Sequence, residues 1–325
     1  MKKVTFVALI HMMVCLLLLT GCLLPTHRDE SSYDTILPSR ESKIPANASK
    51  ISPENDLYPP VLHSTDYEDP IPLPSPINTA GGEDSAFIMP DGQTLYFFFT
   101  PDVQVPAEQQ LFDGVTGIYV SQQVNNTWNT PTRVMLQDSD TLSLDGCAFV
   151  QNNVMWFCSA REGYTGIHWF TAKYRNERWT DWVNADFDPS YDVGELHFSL
   201  NETEVYFHSG RSGGKGGLDI WVLHYRDGVW QTPVNIESVN TAENEGWPFL
   251  SQDENELWFT RTYLGSPAIF RSIKRNETWQ SPELILSQFA GESSLDTDGT
   301  IYFTHHFYEN NEMIEADIYC AKKKA

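Results

Sequence analysis

Five acids, three arginines and a group of histidines are the residues of this chain whose types could do chemistry. The acids recur ahead of five aromatic-rich segments: Glu83 or Asp84, Asp145, Glu195, Glu245 and Glu292. The basic residues follow those segments: Arg161, Arg211, Arg261 and, in the last one, His305 and His306. A pair of carboxylates flanking a scissile bond can act as acid and base on a glycoside. Glu195, Glu245 and Glu292 could supply such a pair. A residue type that returns in every segment has a second explanation, because a carboxylate can accept backbone N–H groups and pair with an arginine inside its own segment. Residues that break the repeat are therefore the more informative ones. These are His197, His208, His305, His306 and Trp247, with Trp182 and Trp247 the tryptophans free for ligand stacking.

Complete catalytic motifs are absent from the sequence. It has no Gly-x-Ser-x-Gly, His-Glu-x-x-His or phosphate-binding loop. The run Tyr225-Arg226-Asp227-Gly228-Val229-Trp230 only partly echoes a sialidase Asp box, and histidines with arginine permit a polysaccharide lyase without indicating one. Asp296-Thr297-Asp298-Gly299-Thr300 reads as a β-turn, since Phe307 stands where a calcium loop needs its glutamate. No Cys-x-x-Cys pair is present, so neither a zinc site nor any other metal or cofactor is expected. Cys147 and Cys158 flank Asn152-Asn153 symmetrically, which predicts that they face each other across a hairpin, either as a disulfide or as two buried thiols. A net charge of −23 disfavours nucleic acid and anionic lipid surfaces as partners.

The elements that must position these residues are legible from the tryptophans. Trp128, Trp179, Trp230 and Trp279 recur at spacings of 51, 51 and 49 residues. Each closes a unit containing segments such as Leu95-Tyr96-Phe97 and Gly117-Ile118-Tyr119, bounded by turn residues. Short aromatic and β-branched runs between Gly, Asn, Asp and Pro read as strands. Four strands per unit at this period predict an all-β, five-bladed β-propeller of antiparallel blades, with six blades the alternative. The last unit lacks its tryptophan strand. Tyr67-Glu68-Asp69-Pro70 has the Trp-x-x-Pro spacing, and Ile77-Asn78-Thr79-Ala80 echoes Val239-Asn240-Thr241-Ala242, so residues 66–76 are expected to close the last blade from the N-terminal side. The acids, arginines and histidines then meet at one funnel-shaped mouth.

Two segments, Pro90-Asp91-Gly92-Gln93-Thr94-Leu95-Tyr96-Phe97 and Ser209 to Trp221, resemble the TolB-like, WD40-like propeller repeats of bacterial envelope proteins. The resemblance covers residues 66–325. It is specific for fold and weak for function, since that family spans scaffolds, binding modules and a few enzymes. Blade two departs from it in the short turn Gln151-Asn152-Asn153, and blade one in the insertion Pro101 to Phe112.

Residues 1–21 read as a secretory signal: Lys2-Lys3, an apolar run from Val4 to Leu19, then Leu19-Thr20-Gly21-Cys22. The last four resemble the bacterial lipoprotein cleavage motif, which implies that Cys22 carries lipid. Leu23, in place of an aspartate, favours an outer-membrane, periplasm-facing protein by the same analogy. Residues 22–65 are rich in Ser, Pro, Asp and Glu and are expected to form a flexible tether to a propeller spanning 66–325. Signal, tether and ring without a complete catalytic motif lead to the expectation of a non-enzymatic, lipid-anchored module that binds an envelope protein or glycan and touches the membrane only through its anchor. A carbohydrate-active hydrolase or lyase using the funnel carboxylates and histidines is the alternative, and a structural spacer the third reading.

Overall fold

The computed structural model describes residues 38–138, 141–187, 191 and 194–324. The signal segment and Cys22 lie outside the described residues. Five antiparallel meanders follow one another along the chain. The first comprises Gly82–Ile88, Thr94–Thr100 and Gly117–Val124 with Thr132–Arg133 outermost. The second runs Ser143–Gln151, Val154–Arg161, His168–Arg175 and Arg178–Asn184. The third is Leu196–Phe198, Glu204–Ser209, Asp219–Arg226 and Val234–Asn235. The fourth is Glu245–Leu250, Glu256–Tyr263, Ser266–Arg275 and Glu283–Ser287. The fifth is Ala290–Leu295, Ile301–Glu309 and Glu312–Ala321. The innermost strands touch in cyclic order, and the fifth returns to the first, which closes a β-propeller.

Closure uses the N-terminal strand. Ile71–Pro72 pairs with Cys320 and Tyr319, and Tyr67 bridges to Lys323. Tyr67 takes the tryptophan's place physically as well. Trp179 packs on Tyr96 and Trp279 on Tyr206, each an aromatic of the preceding unit's second strand. Tyr67 meets Trp258 edge-on at 6.1 Å in the same relation. The repeated tryptophans are thus core packing between neighbouring blades. The Asn-Thr echo is also structural. Asn78 and Asn240 bridge both backbone groups of Ile318 and Ile220 respectively, satisfying buried polar groups.

The tether needs correction, and the alternative left open for Cys147 and Cys158 is decided. Residues 40–63 are not a free tether, because they are strapped across the ring. Arg40 pairs with Glu83 at 3.1 Å, Lys50 with Glu315 and Asp317, Asp56 with His305 at 2.8 Å, and Val61–Leu62 adds an edge strand to Glu283–Ser287. Cys147 and Cys158 are free thiols, so the disulfide does not form. A bulge between Gly146 and Phe149 shifts the hairpin register, so Cys158 pairs with Gly146 while Cys147 is swung out with φ +57. The insertion in the first unit also carries one short helical turn, Ala107–Gln110, where no helix was expected.

Candidate functional site

The same bulge occurs in four innermost strands, between Asp84 and Phe87, Gly146 and Phe149, Gly246 and Phe249, and Gly291 and Ser294. It places Ser85, Cys147, Trp247 and Glu292 in the left-handed region, at φ of 50, 57, 53 and 55. Non-glycine residues rarely adopt this conformation, and it persists where surrounding structure over-determines it. Here it re-aims each side chain at the propeller axis. Glu195 holds the corresponding place in the third unit. A cavity of about 40 Å³ on the axis is lined by these five residues on one side and by Phe87, Phe149, His197 and Phe249 on the other.

The acids therefore divide into two sets. Glu83, Asp145 and Glu245 are fully buried blade residues. Asp145 pairs with Arg161 at 2.9 Å and accepts the Ser143 and Ser159 hydroxyls. Glu245 pairs with Arg261 at 2.7 Å and accepts the Thr241 amide and hydroxyl. Glu83 makes the equivalent bonds to Thr79, but its arginine, Arg40, comes from the strap. These acids, with Arg161 and Arg261, hold blades together and do not line the mouth, contrary to expectation. Arg211 lies over Phe207 and Trp221 with Nε donating to Ser209. His305 is buried against Asp56 rather than facing the axis. His197 lies one layer deeper, between Phe149 and Phe249, where burial lowers its pKa to about 3 and keeps it neutral. Trp182 lines a separate surface hollow beside Tyr164 and Asn184.

The residues that do converge are Asp84, Glu195, Glu292, His208, His306 and Trp247, joined by Ser85 and Cys147. Ser85 Oγ lies 2.7 Å from Glu292 and 3.4 Å from Glu195. Trp247 N–H donates to His208 Nδ1 at 3.1 Å, and its ring packs on that imidazole. His306 Nε2 faces Asp84 at 3.7 Å while its backbone N–H donates to Phe289. The cluster is recessed yet open to solvent, with the Asp84 side chain 29% exposed and Glu195 20%.

Electrostatics separates the carboxylates. Burial raises the pKa of Glu292 well above the usual carboxylate value, and the negative charges of Asp84 and Glu195 push it further. Burial also acts on Asp84, but the hydrogen bond and positive charge of His306 outweigh it and hold Asp84 below its ordinary value. Reciprocally, burial pulls His306 down and Asp84 more than restores it, so the imidazole's pKa is raised. Glu195 is raised by burial. The two shifts run in opposite directions, Glu292 up and Asp84 down, the pattern of an acid and base held apart by environment. His208 is kept neutral by burial, at about 4. The neighbouring Cys158 thiol and burial push the Cys147 thiol well above its ordinary pKa, which disfavours the reactive thiolate.

Asp84, Glu292 and His306 also have the donor types of a divalent-cation site, with one atom of each within 4.8 Å of the others. A cation there would displace the proton of Glu292. Ser85 and Cys147 were missed by motif reading. Their signal lies in the aligned positions Ser85-Ala86-Phe87, Cys147-Ala148-Phe149 and Trp247-Pro248-Phe249, which single out the residue two before the phenylalanine.

No protein-family model matches the chain, and no curated protein does. The narrower TolB-like or WD40-like assignment thus has no further support, whereas the propeller it implied is present. Solved structures do share the fold. A thermostable family-43 glycoside hydrolase superposes with a TM-score of 0.50 at 13% identity, over 77% of this chain and 95% of that one. An endo-arabinase from Bacteroides thetaiotaomicron gives 0.49 at 15%, over 74% and 94%. A family-62 α-L-arabinofuranosidase domain from Coprinopsis cinerea gives 0.45 at 8%, over 80% and 96%. At these identities the likeness to the first shows a β-propeller fold.

Proposed function

We propose that this chain is a glycoside hydrolase whose reaction centre is the axial cluster. This corrects the expectation of a non-enzymatic binding module. Similar folds include glycoside hydrolases, and the axial acids are built differently from the acids that merely hold blades. The observation that carries the reading is the convergence of Asp84 and Glu292 on one recessed axial site, with Ser85 and His306 against them; their opposite pKa shifts fit acid and base roles. Glu292 protonates the leaving-group oxygen. Asp84, kept ionised by His306, stabilises the positive charge at the anomeric carbon, and water adds there while the Glu292 carboxylate left by the first step takes its proton. Glu195 accepts a substrate hydroxyl. One atom of each of Asp84, Glu292 and His306 lies within 4.8 Å of the others, so the two carboxyls share one site.

The test is hydrolysis of aryl glycosides, arabinan, xylan and xyloglucan by the full chain. Glu292→Gln and Asp84→Asn should each lower kcat by roughly 10²–10⁴-fold. Hydrolysis unaffected by either substitution, or no hydrolysis across the panel, would sink the assignment. We also propose export and lipid anchoring through Cys22, supported by Leu19-Thr20-Gly21-Cys22. Palmitate labelling that survives Cys22→Ala would refute the anchoring.

A further inference from the structure

Beside the axial cluster stand three aromatic rings that the reaction does not use. Phe289 stacks on Tyr308 at 4.4 Å, and Tyr58 of the strap leans on Phe289 at 5.5 Å. Phe289 is in direct contact with the cluster, because its carbonyl accepts the His306 backbone N–H at 2.9 Å and faces His306 Nδ1 at 3.3 Å. It also stands three residues before Glu292, with φ +57. Tyr58 is held in place by Asp56. One Asp56 oxygen accepts the Tyr58 backbone N–H at 2.9 Å, and the other meets His305 Nε2 at 2.8 Å. His305 is buried and adjacent in sequence to His306. A single carboxylate thus fixes the strap's aromatic ring relative to the histidine that orients Asp84. Tyr58 nevertheless keeps 46% of its surface exposed.

We infer that Tyr58, with Phe289 and Tyr308, is a stacking platform for a sugar unit next to the one being cleaved, so the substrate is an oligo- or polysaccharide rather than a single glycoside. This rests on the hydrolase reading. An exposed aromatic face with a polar tip suits a sugar ring, which presents apolar C–H faces and a hydroxyl edge. Phe289 touches His306 and stands three residues before Glu292, which puts the platform next to the acids for one extended ligand. The strap, which the sequence marks as a linker, would then be part of substrate recognition.

The experiment is native gel retardation of the full chain in gels containing arabinan, xylan or xyloglucan. The probes are wild type, Tyr58→Phe, Tyr58→Leu and the hydrolysis-deficient Glu292→Gln. Wild type, Tyr58→Phe and Glu292→Gln should be retarded by the same polymer. Tyr58→Leu should lose roughly tenfold in affinity, because a leucine keeps apolar bulk but has no ring face to stack. KM on the retarding polymer should rise by the same factor in Tyr58→Leu while kcat moves little. Equal retardation of Tyr58→Leu and wild type, or no retardation of wild type by any polymer, overturns the platform. Retardation as expected without hydrolysis leaves the platform standing and removes the hydrolase reading. Hydrolysis indifferent to Tyr58 does the reverse.

Discussion

Glu292 and Glu245 are the same amino acid in neighbouring blades, and their surroundings give them opposite uses. Glu245 pairs with Arg261 and accepts two Thr241 groups within its blade. Glu292 meets a serine hydroxyl, and burial and two like charges raise its pKa. This difference predicts the pH profile. The ionised form of Asp84 is required, so kcat/KM should fall only at strongly acidic pH. The protonated form of Glu292 is required, so the alkaline limb should lie well above the ordinary carboxylate pKa of 4.5. Glu292→Gln should leave a low residual rate without that alkaline limb. A limb that persists in the variant would assign it to another group. At this scale the sequence showed which residue types were available but not which acid belonged to which set. The separation depends on a one-residue bulge and on partners more than two hundred residues distant, such as Ser85 for Glu292.

At the scale of elements, the strap is the least expected part of the molecule. Composition marked residues 22–65 as unable to pack, yet Arg40 is buried against Glu83, with side chains 2% and 0% exposed. The second and fourth blades carry their own arginine–acid pair. The first lacks one, and the strap supplies it. Breaking a buried pair from one side leaves an uncompensated charge, so Arg40→Ala should cost about 3–5 kcal/mol by denaturant unfolding above neutral pH. Glu83 has its pKa raised by burial, against the pull of Arg40, to about 7. The cost should therefore shrink at about pH 5, where Glu83 takes a proton. An equal cost at both pH values would mean that Arg40 acts by packing alone. The closing strand was legible, by contrast, because Tyr67 keeps the tryptophan's spacing and the Asn-Thr motif repeats. Its Tyr67 hydroxyl is buried without a partner, so Tyr67→Phe should be neutral or stabilising. Tyr67→Ala should cost roughly 3–5 kcal/mol by opening a gap against Trp258. A destabilised Tyr67→Phe would reveal a bond to that hydroxyl.

For the whole molecule, buried acids govern stability against pH. Burial raises the pKa of Glu83, Glu292, Glu315 and Asp317 above their ordinary values. Between the unfolded and folded values the native state holds more protons than the unfolded chain, so stability falls as pH rises through that window. His306 acts in the same direction, since its raised pKa favours the folded state until pH passes the folded value. His197 and His208 oppose it, because burial lowers their pKa values to about 3 and about 4, so below pH 6.5 the unfolded chain takes up protons that the native one does not. The raised acids and His306 outnumber these two. A net charge of −23 adds self-repulsion as the last carboxyls ionise. Tm should therefore be higher at about pH 5 than at about pH 8. The opposite slope would show that these acids are ionised in the native state at both values. The sequence by itself determined the propeller, its direction of closure and the role of its tryptophans, because each follows from a short local pattern repeated at a fixed period. Only the tertiary structure decided the rest. A bulge that re-aims one side chain per blade, a strap that crosses the ring, and the meeting of Asp84, Glu292 and His306 all depend on contacts between distant segments. Local periodicity marks the position two before a phenylalanine in three blades but carries no trace of the contacts made there, and the chemistry of the site was written in those contacts.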